Sequence, residues 1–207
     1  AQDGLTIHEG GRSLIIACGA LAREILALKE MNKWDHMDLT CLPAIYHVYP
    51  DKITDAVEAA VHKHKSDYGR IFIAYADCGT GGLLDKVCEK YGVERIAGPH
   101  CFSFYMGNAE FEKDSDDHLT AFFMTDFLAR HFQTFFVKPL GLDRHPELRD
   151  MYFGNYTKMI YIAQQQDPNL EKIAEEAAEF LQLDYEYHYT GYGDLTPALT
   201  HANMSEL

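Results

Sequence analysis

Residues Arg70 to Thr80 read R-I-F-I-A-Y-A-D-C-G-T, with Gly81-Gly82 and a helix-like run from Leu83 to Lys90 behind them. Ile71, Phe72, Ile73 and Ala74 form a short apolar block, the pattern of a strand covered on both faces. The block runs into Asp77-Cys78-Gly79, where glycine lets the backbone turn sharply and come close to a ligand. The helix that follows starts with its unpaired N–H groups at that turn. A buried strand, a thiol at its carboxyl end, a glycine turn and a helix start form the unit from which an α/β fold is built.

The same unit recurs on either side. Ser13 to Ala17 (S-L-I-I-A) predicts a strand ending at Cys18-Gly19, and Ala20 to Met31 has helical spacing with Leu21, Ile25 and Leu28 on one face. Asp38 to Leu42 predicts a second strand leading into Pro43, His47 and Pro50. Asp51 to His64 then places Ile53, Val57 and Val61 at helical spacing. Val93 to Ala97 predicts a short fourth strand, stopped at Gly98-Pro99 before His100-Cys101. Four such units in succession predict an α/β fold with a Rossmann-like, mostly parallel sheet and helices on both faces.

Beyond an acidic, loop-like stretch from Gly107 to Asp117, Leu119 to Val137 reads as a Phe-rich helical segment carrying Phe122, Phe123, Phe127, Phe132, Phe135 and Phe136. Its apolar surface suits either the core or a homodimer interface. Lys158 to Ala163 predicts a fifth strand, Asn169 to Leu181 an amphipathic helix and Asp184 to Tyr189 a last strand. A polar, glycine-containing tail follows Thr190. The expected organisation is a disordered tail over residues 1–12 and a single α/β domain over 13–200.

Composition narrows the function classes. Hydrophobic residues make up 47% of 207, enough to build a core and to set disorder aside. Lys and Arg total 18 against 32 Asp and Glu, a formal charge of −14 with no basic cluster, which disfavours nucleic acid and anionic membranes as partners. No apolar run approaches the ~20 residues of a membrane helix, and no secretory apolar region is present, so the expected location is cytoplasmic. Five widely spaced cysteines, an odd number, argue for reduced thiols rather than a disulfide framework.

Three predicted strands end alike, in Ala17-Cys18-Gly19, Asp77-Cys78-Gly79 and Gly98-Pro99-His100-Cys101. In open α/β sheets, ligands sit outside the carboxyl ends of the strands. There Cys18, Cys78 and Cys101, with His100 and His47 on the same edge, form a soft ligand set for zinc in the first place, or for an iron–sulfur cluster. Three protein ligands would leave a position open for substrate or water. No C-x-x-C pair is present, so this reading rests on topology, against the alternative that small cysteines fill tight corners. Cys41, inside a strand, and Cys88, inside a helix, read as core.

Two further readings compete for the same stretch. Gly79, Thr80, Gly81 and Gly82 form a turn whose N–H groups suit an anionic cofactor, although it matches neither a Walker loop nor G-x-G-x-x-G. Cys78 or Cys18 could instead be a nucleophile, with Asp77 beside Cys78 and His47 or His100 as base, acting on a small-molecule substrate. Glu24, in the first predicted helix, reads as a supporting carboxylate or, more often for such a position, a surface charge.

The segments I-I-A-C-G-A-L-A-R-E-I, L-P-A-I-Y-H-V-Y-P, I-A-Y-A-D-C-G-T-G-G and G-P-H-C-F resemble a bacterial and archaeal family known as a domain of unknown function. F-M-T-D-F-L-A-R-H-F and N-Y-T-K-M-I-Y-I-A extend the resemblance over most of the chain from Ser13. Cys18, Glu24, His47, Asp77, Cys78, Gly79, His100 and Cys101 occupy its matching positions. Genes of that family often lie beside corrinoid-dependent methyltransferases, which implies a role in one-carbon metabolism with a corrinoid protein or methyltransferase as partner. It also implies a corrinoid as an alternative cofactor, carried without bond chemistry.

Overall fold

In the computed structural model, residues 12–204 are described, and the tail expected over residues 1–12 lies outside them up to residue 11. The described residues pack as two compact units, residues 12–100 with 196–204, and Cys101–Leu195. Each unit is built on its own parallel sheet, so the seven strands among the described residues form two sheets where the sequence suggested one.

The first sheet contains β1 (Ser13–Cys18), β2 (Met37–Leu42), β3 (Arg70–Ala74) and β4 (Glu94–Arg95), ordered β2-β1-β3-β4 with every pair parallel. Alternation along the strands sends Leu14, Ile16, Ile71 and Ile73 to one face. There they meet Ile53, Val57 and Val61 of α2 (Ile53–His64) and Leu84, Val87 and Cys88 of α3 (Leu83–Tyr91). Ile15, Ala17, Phe72 and Ala74 go to the other face and are buried as well. The connection from β1 to β2 runs opposite in direction to those from β2 to β3 and from β3 to β4. With right-handed crossovers this puts α1 (Ala22–Asn32) over that second face.

The second sheet is β5 (Ala121–Thr125), β6 (Lys158–Ala163) and β7 (Asp184–Tyr189), also parallel, with β6 in the middle. The connecting helices are α4 (Cys101–Met106), α5 (Asn108–Lys113), α6 (Asp126–Arg130), α7 (Arg149–Phe153) and α8 (Pro168–Leu181). The expected Phe-rich helix over residues 119–137 is replaced at its start by β5. Phe122 and Phe123 point to opposite faces, Phe122 meeting Phe136, Phe153 and Tyr156, and Phe123 meeting Phe102, Phe111 and His118. Pairing with β6 overrides local helical preference. Thr125 then stays extended and caps α6 by accepting the N–H of Leu128, so helix begins only at Asp126. A π-helical turn, Gln133–Val137, completes the segment.

The polar stretch after Thr190 is ordered rather than a tail. Gly193 passes so close to α4 that a Cβ there would overlap the carbonyl oxygens of Phe104 and Tyr105. Asp194 donates its N–H to Phe104 and accepts the N–H of Asn108, both at 2.7 Å. The chain continues into α9 (Leu195–Met204), whose Leu195, Leu199 and Ala202 are buried. Arg70 caps the end of α9 by donating to the Ala202 carbonyl at 2.6 Å, while its other nitrogen pairs with Glu94 at 2.9 Å. Among the described residues no helix is long and apolar enough to cross a membrane.

Candidate functional site

Connections leave β1 and β3 in opposite directions, so the gap between their carboxyl ends is the topological switch point of the first sheet. Cys18 ends β1, and Tyr75, Ala76, Asp77 and Cys78 follow β3. Cys18 and Cys78 both pack against the core cluster that contains Tyr75, and Leu42 and Tyr46 pack against the same cluster from β2 and the segment after it.

The loops at this edge are fastened to one another. A Cβ on Gly19 would lie 3.0 Å from the Leu42 carbonyl, and one on Gly79 would lie 3.4 Å from Pro50. Asp77 donates its N–H to Gly98 at 3.0 Å and Cys78 to Pro99 at 2.8 Å, which ties the loop after β3 to the segment carrying His100. Cys78 itself has φ +49, a left-handed backbone that a side chain rarely adopts. Strain of this kind costs on the order of 1–3 kcal/mol and concentrates at functional sites.

Asp77 is the organiser of its loop. Its carboxylate accepts the Thr80 hydroxyl at 2.8 Å, the Gly81 N–H at 3.1 Å and the Gly82 N–H at 2.8 Å. Burial pushes the carboxyl up, but these donors outweigh it and hold the group below the usual aspartate value. The Gly81 and Gly82 amides expected to cradle a cofactor are therefore committed to Asp77, and Thr80 donates its own N–H to the Asp77 carbonyl.

Burial pushes the Cys18 thiol up, against the pull of the Ala20 amide and the Tyr75 hydroxyl. The Tyr75 hydroxyl is also pushed up, by burial first and then by Cys18, and it makes no hydrogen bond of ordinary geometry. His47 stands on the rim, open to solvent, in the short turn Ala44–His47, and the protein around it pushes its imidazole down. His100 is half-buried at the end of the first unit, and Cys101 opens α4 of the second. Among the described residues no group of three or more His, Cys, Asp or Glu side chains is arranged to hold a metal.

Two residues at this edge were undervalued in the sequence. Glu24 is 1% exposed, not a surface charge. Its spacing announces this, since Leu21, Glu24, Ile25 and Leu28 share one helical face. Tyr75 carries no such signal beyond its place at the end of an apolar block. Of the two cysteines read as core, Cys88 is buried in α3, whereas Cys41 is exposed because β2 is the edge of its sheet.

A family model described as "Protein of unknown function (DUF1638)" matches residues 41–199. The chain belongs to the DUF1638 family. The match takes in His47, Asp77, Cys78, His100 and Cys101, while Cys18 and Glu24 precede it. No curated protein and no solved structure matches this DUF1638 chain.

Proposed function

We propose that the chain is a cytoplasmic cysteine-dependent enzyme acting on a small molecule at the switch point of its first sheet, with Cys78 as the reacting group. The observation that carries this is the backbone of Cys78, held at φ +49 on a loop fixed from two sides. A thiol on a strained turn between a strand and a helix is presented in one orientation, which is what nucleophilic attack requires. His47 is the proton acceptor in this reading. Its segment reaches the Cys78 loop through Pro50 and Gly79, and an imidazole is able to take a proton at neutral pH. Asp77 is a positioning residue that shapes the loop. In the step proposed, the Cys78 sulfur bonds to an electrophilic carbon of the substrate. The bond from that carbon to its leaving group breaks with the electron pair, and the thiol proton passes to His47. An activated methyl group is the electrophile implied by the resemblance to a family encoded beside corrinoid methyltransferases.

A second reading, a soft-metal site, is favoured by Cys18. A thiol that burial pushes up ionises readily only when a cation offsets its charge. Cys18 and Cys78, with His100, would then hold zinc, and an iron–sulfur cluster or a bound corrinoid are the coloured alternatives. No step is routed through any of them.

The deciding experiment combines elemental analysis and a visible spectrum of protein purified anaerobically without a metal column with iodoacetamide labelling of each cysteine, followed by peptide mass spectrometry. Cys78 labelling fastest, and slower in His47→Asn, supports the nucleophile. About one zinc per chain that is lost in Cys78→Ser replaces that reading with the metal one. Equal, slow labelling with neither metal nor colour removes both.

A further inference from the structure

In the second unit, α6 and the π-helical turn face α8 across a groove of about 380 Å³. This is the size of a small-molecule site. Phe132 forms one apolar wall and Ile173 and Phe180 the other, with the two aromatic rings edge to face at 6.0 Å. Ile173 is 39% and Phe180 41% exposed, so apolar surface on α8 is left uncovered there. A π-helical turn is a costly conformation that recurs at functional sites, and this one begins at Gln133, on the groove wall.

The decisive residue is Arg130, which lines the groove with its side chain only 18% exposed. Its Nη2 stands 3.8 Å from Asp126, beyond hydrogen-bond reach, and its Nη1 is closed off from water with no partner. Asp126 is not waiting for it. That carboxylate already accepts the Tyr161 hydroxyl at 2.7 Å and the Gln164 and Gln165 amides, each at 3.1 Å. Among the described residues no acceptor lies within hydrogen-bond distance of the Arg130 guanidinium, which pairs with Asp126 only at 3.8 Å and leaves Nη1 buried without a partner. A mostly buried guanidinium in that condition lacks an acceptor that a planar anion supplies bidentately.

We propose that this groove binds a small monocarboxylate with an apolar body, the carboxylate on Arg130 and the apolar body laid over the Phe132–Phe180 pair and Ile173. Engaging it requires the guanidinium to turn toward the groove and to loosen its 3.8 Å ion pair with Asp126. Glu176 on the far wall disfavours a second negative charge on the ligand and would receive an ammonium group if one were present. The two sources of this chemistry are a simple carboxylic acid and an apolar amino acid.

The test is calorimetric titration of the full chain with 3-phenylpropionate, L-phenylalanine and neutral 3-phenylpropanamide. Saturable binding of an acid is expected, weaker by about tenfold or more for the amide and for Arg130→Met, as loss of a charged bidentate contact implies. Ile173→Trp, a change at an exposed position that fills the groove, keeps the fold and abolishes binding. Tighter binding of phenylalanine, levelled by Glu176→Gln, identifies the amino acid as the class. Equal or weaker binding identifies the simple acid. No saturable binding of either into the millimolar range overturns the proposal, as does binding that Arg130→Met and Ile173→Trp leave unchanged.

Discussion

Asp77 accepts the backbone N–H of Gly82 at 2.8 Å, five residues along the chain, and so closes the loop that presents Cys78. Asp77→Ala removes this bond together with those to Thr80 and Gly81. The expected loss is about 1–2 kcal/mol, the usual scale for a side chain that satisfies a helix entrance. Because the folded pKa lies below the unfolded one, the contribution of Asp77 is present above the unfolded value and is lost as pH falls through the folded value. Urea titrations of wild type and Asp77→Asn should therefore converge in acid and separate toward neutral pH.

Replacing Cys78 by glycine relieves the left-handed backbone at φ +49. A gain of about 0.5–1 kcal/mol in stability is expected, together with loss of the fast-labelling thiol. Thermal melts of Cys78→Gly beside Cys78→Ala separate backbone relief from removal of the sulfur, since only glycine should gain.

In the second unit, burial pushes the Asp126 carboxyl up, and the Tyr161 hydroxyl and the Gln164 amide, pulling it down, do not fully offset the burial. Its contribution is thus fully present below the unfolded aspartate value and falls as pH rises through the raised one. Asp126→Asn should lose that slope, visible as a stability difference from wild type that changes over this window. Tyr161→Phe removes the 2.7 Å bond and should cost about 1–2 kcal/mol, measured by chemical denaturation.

Gly193→Ala drives a methyl into the carbonyl oxygens of Phe104 and Tyr105 at a residue with φ +48. A loss of about 2–4 kcal/mol follows from overlap combined with backbone strain, and the melting temperature reports it.

Much of this architecture is legible in the residues themselves. Lys158–Ala163 and Asp184–Tyr189 are strands with the bounds read from the sequence, and the helices over α2, α3 and α8 follow from apolar spacing. The Phe-rich stretch misleads because phenylalanines at 122, 123 and 127 fit a helix as well as a strand, and only the partner strand decides. α9 hides behind glycines and polar residues, since its burial depends on distant contacts such as Arg70 with Ala202. At the site, topology delivers Cys18 and Cys78 to one edge as the strand endings suggest. The occupation of the loop amides by Asp77 depends on positive φ angles at 78, 79, 81 and 82, which the glycines permit but do not specify.

The arginine that begins β3 holds the last described turn of α9, so the first unit is assembled from both ends of the described chain. During synthesis the stretch through His100 emerges, and the whole of the second unit must then be made before α9 arrives. At ~5–20 residues per second that interval lasts roughly 5–20 s. For that time the first unit has all four of its strands but lacks α9, while the second unit is completed before α9 is made.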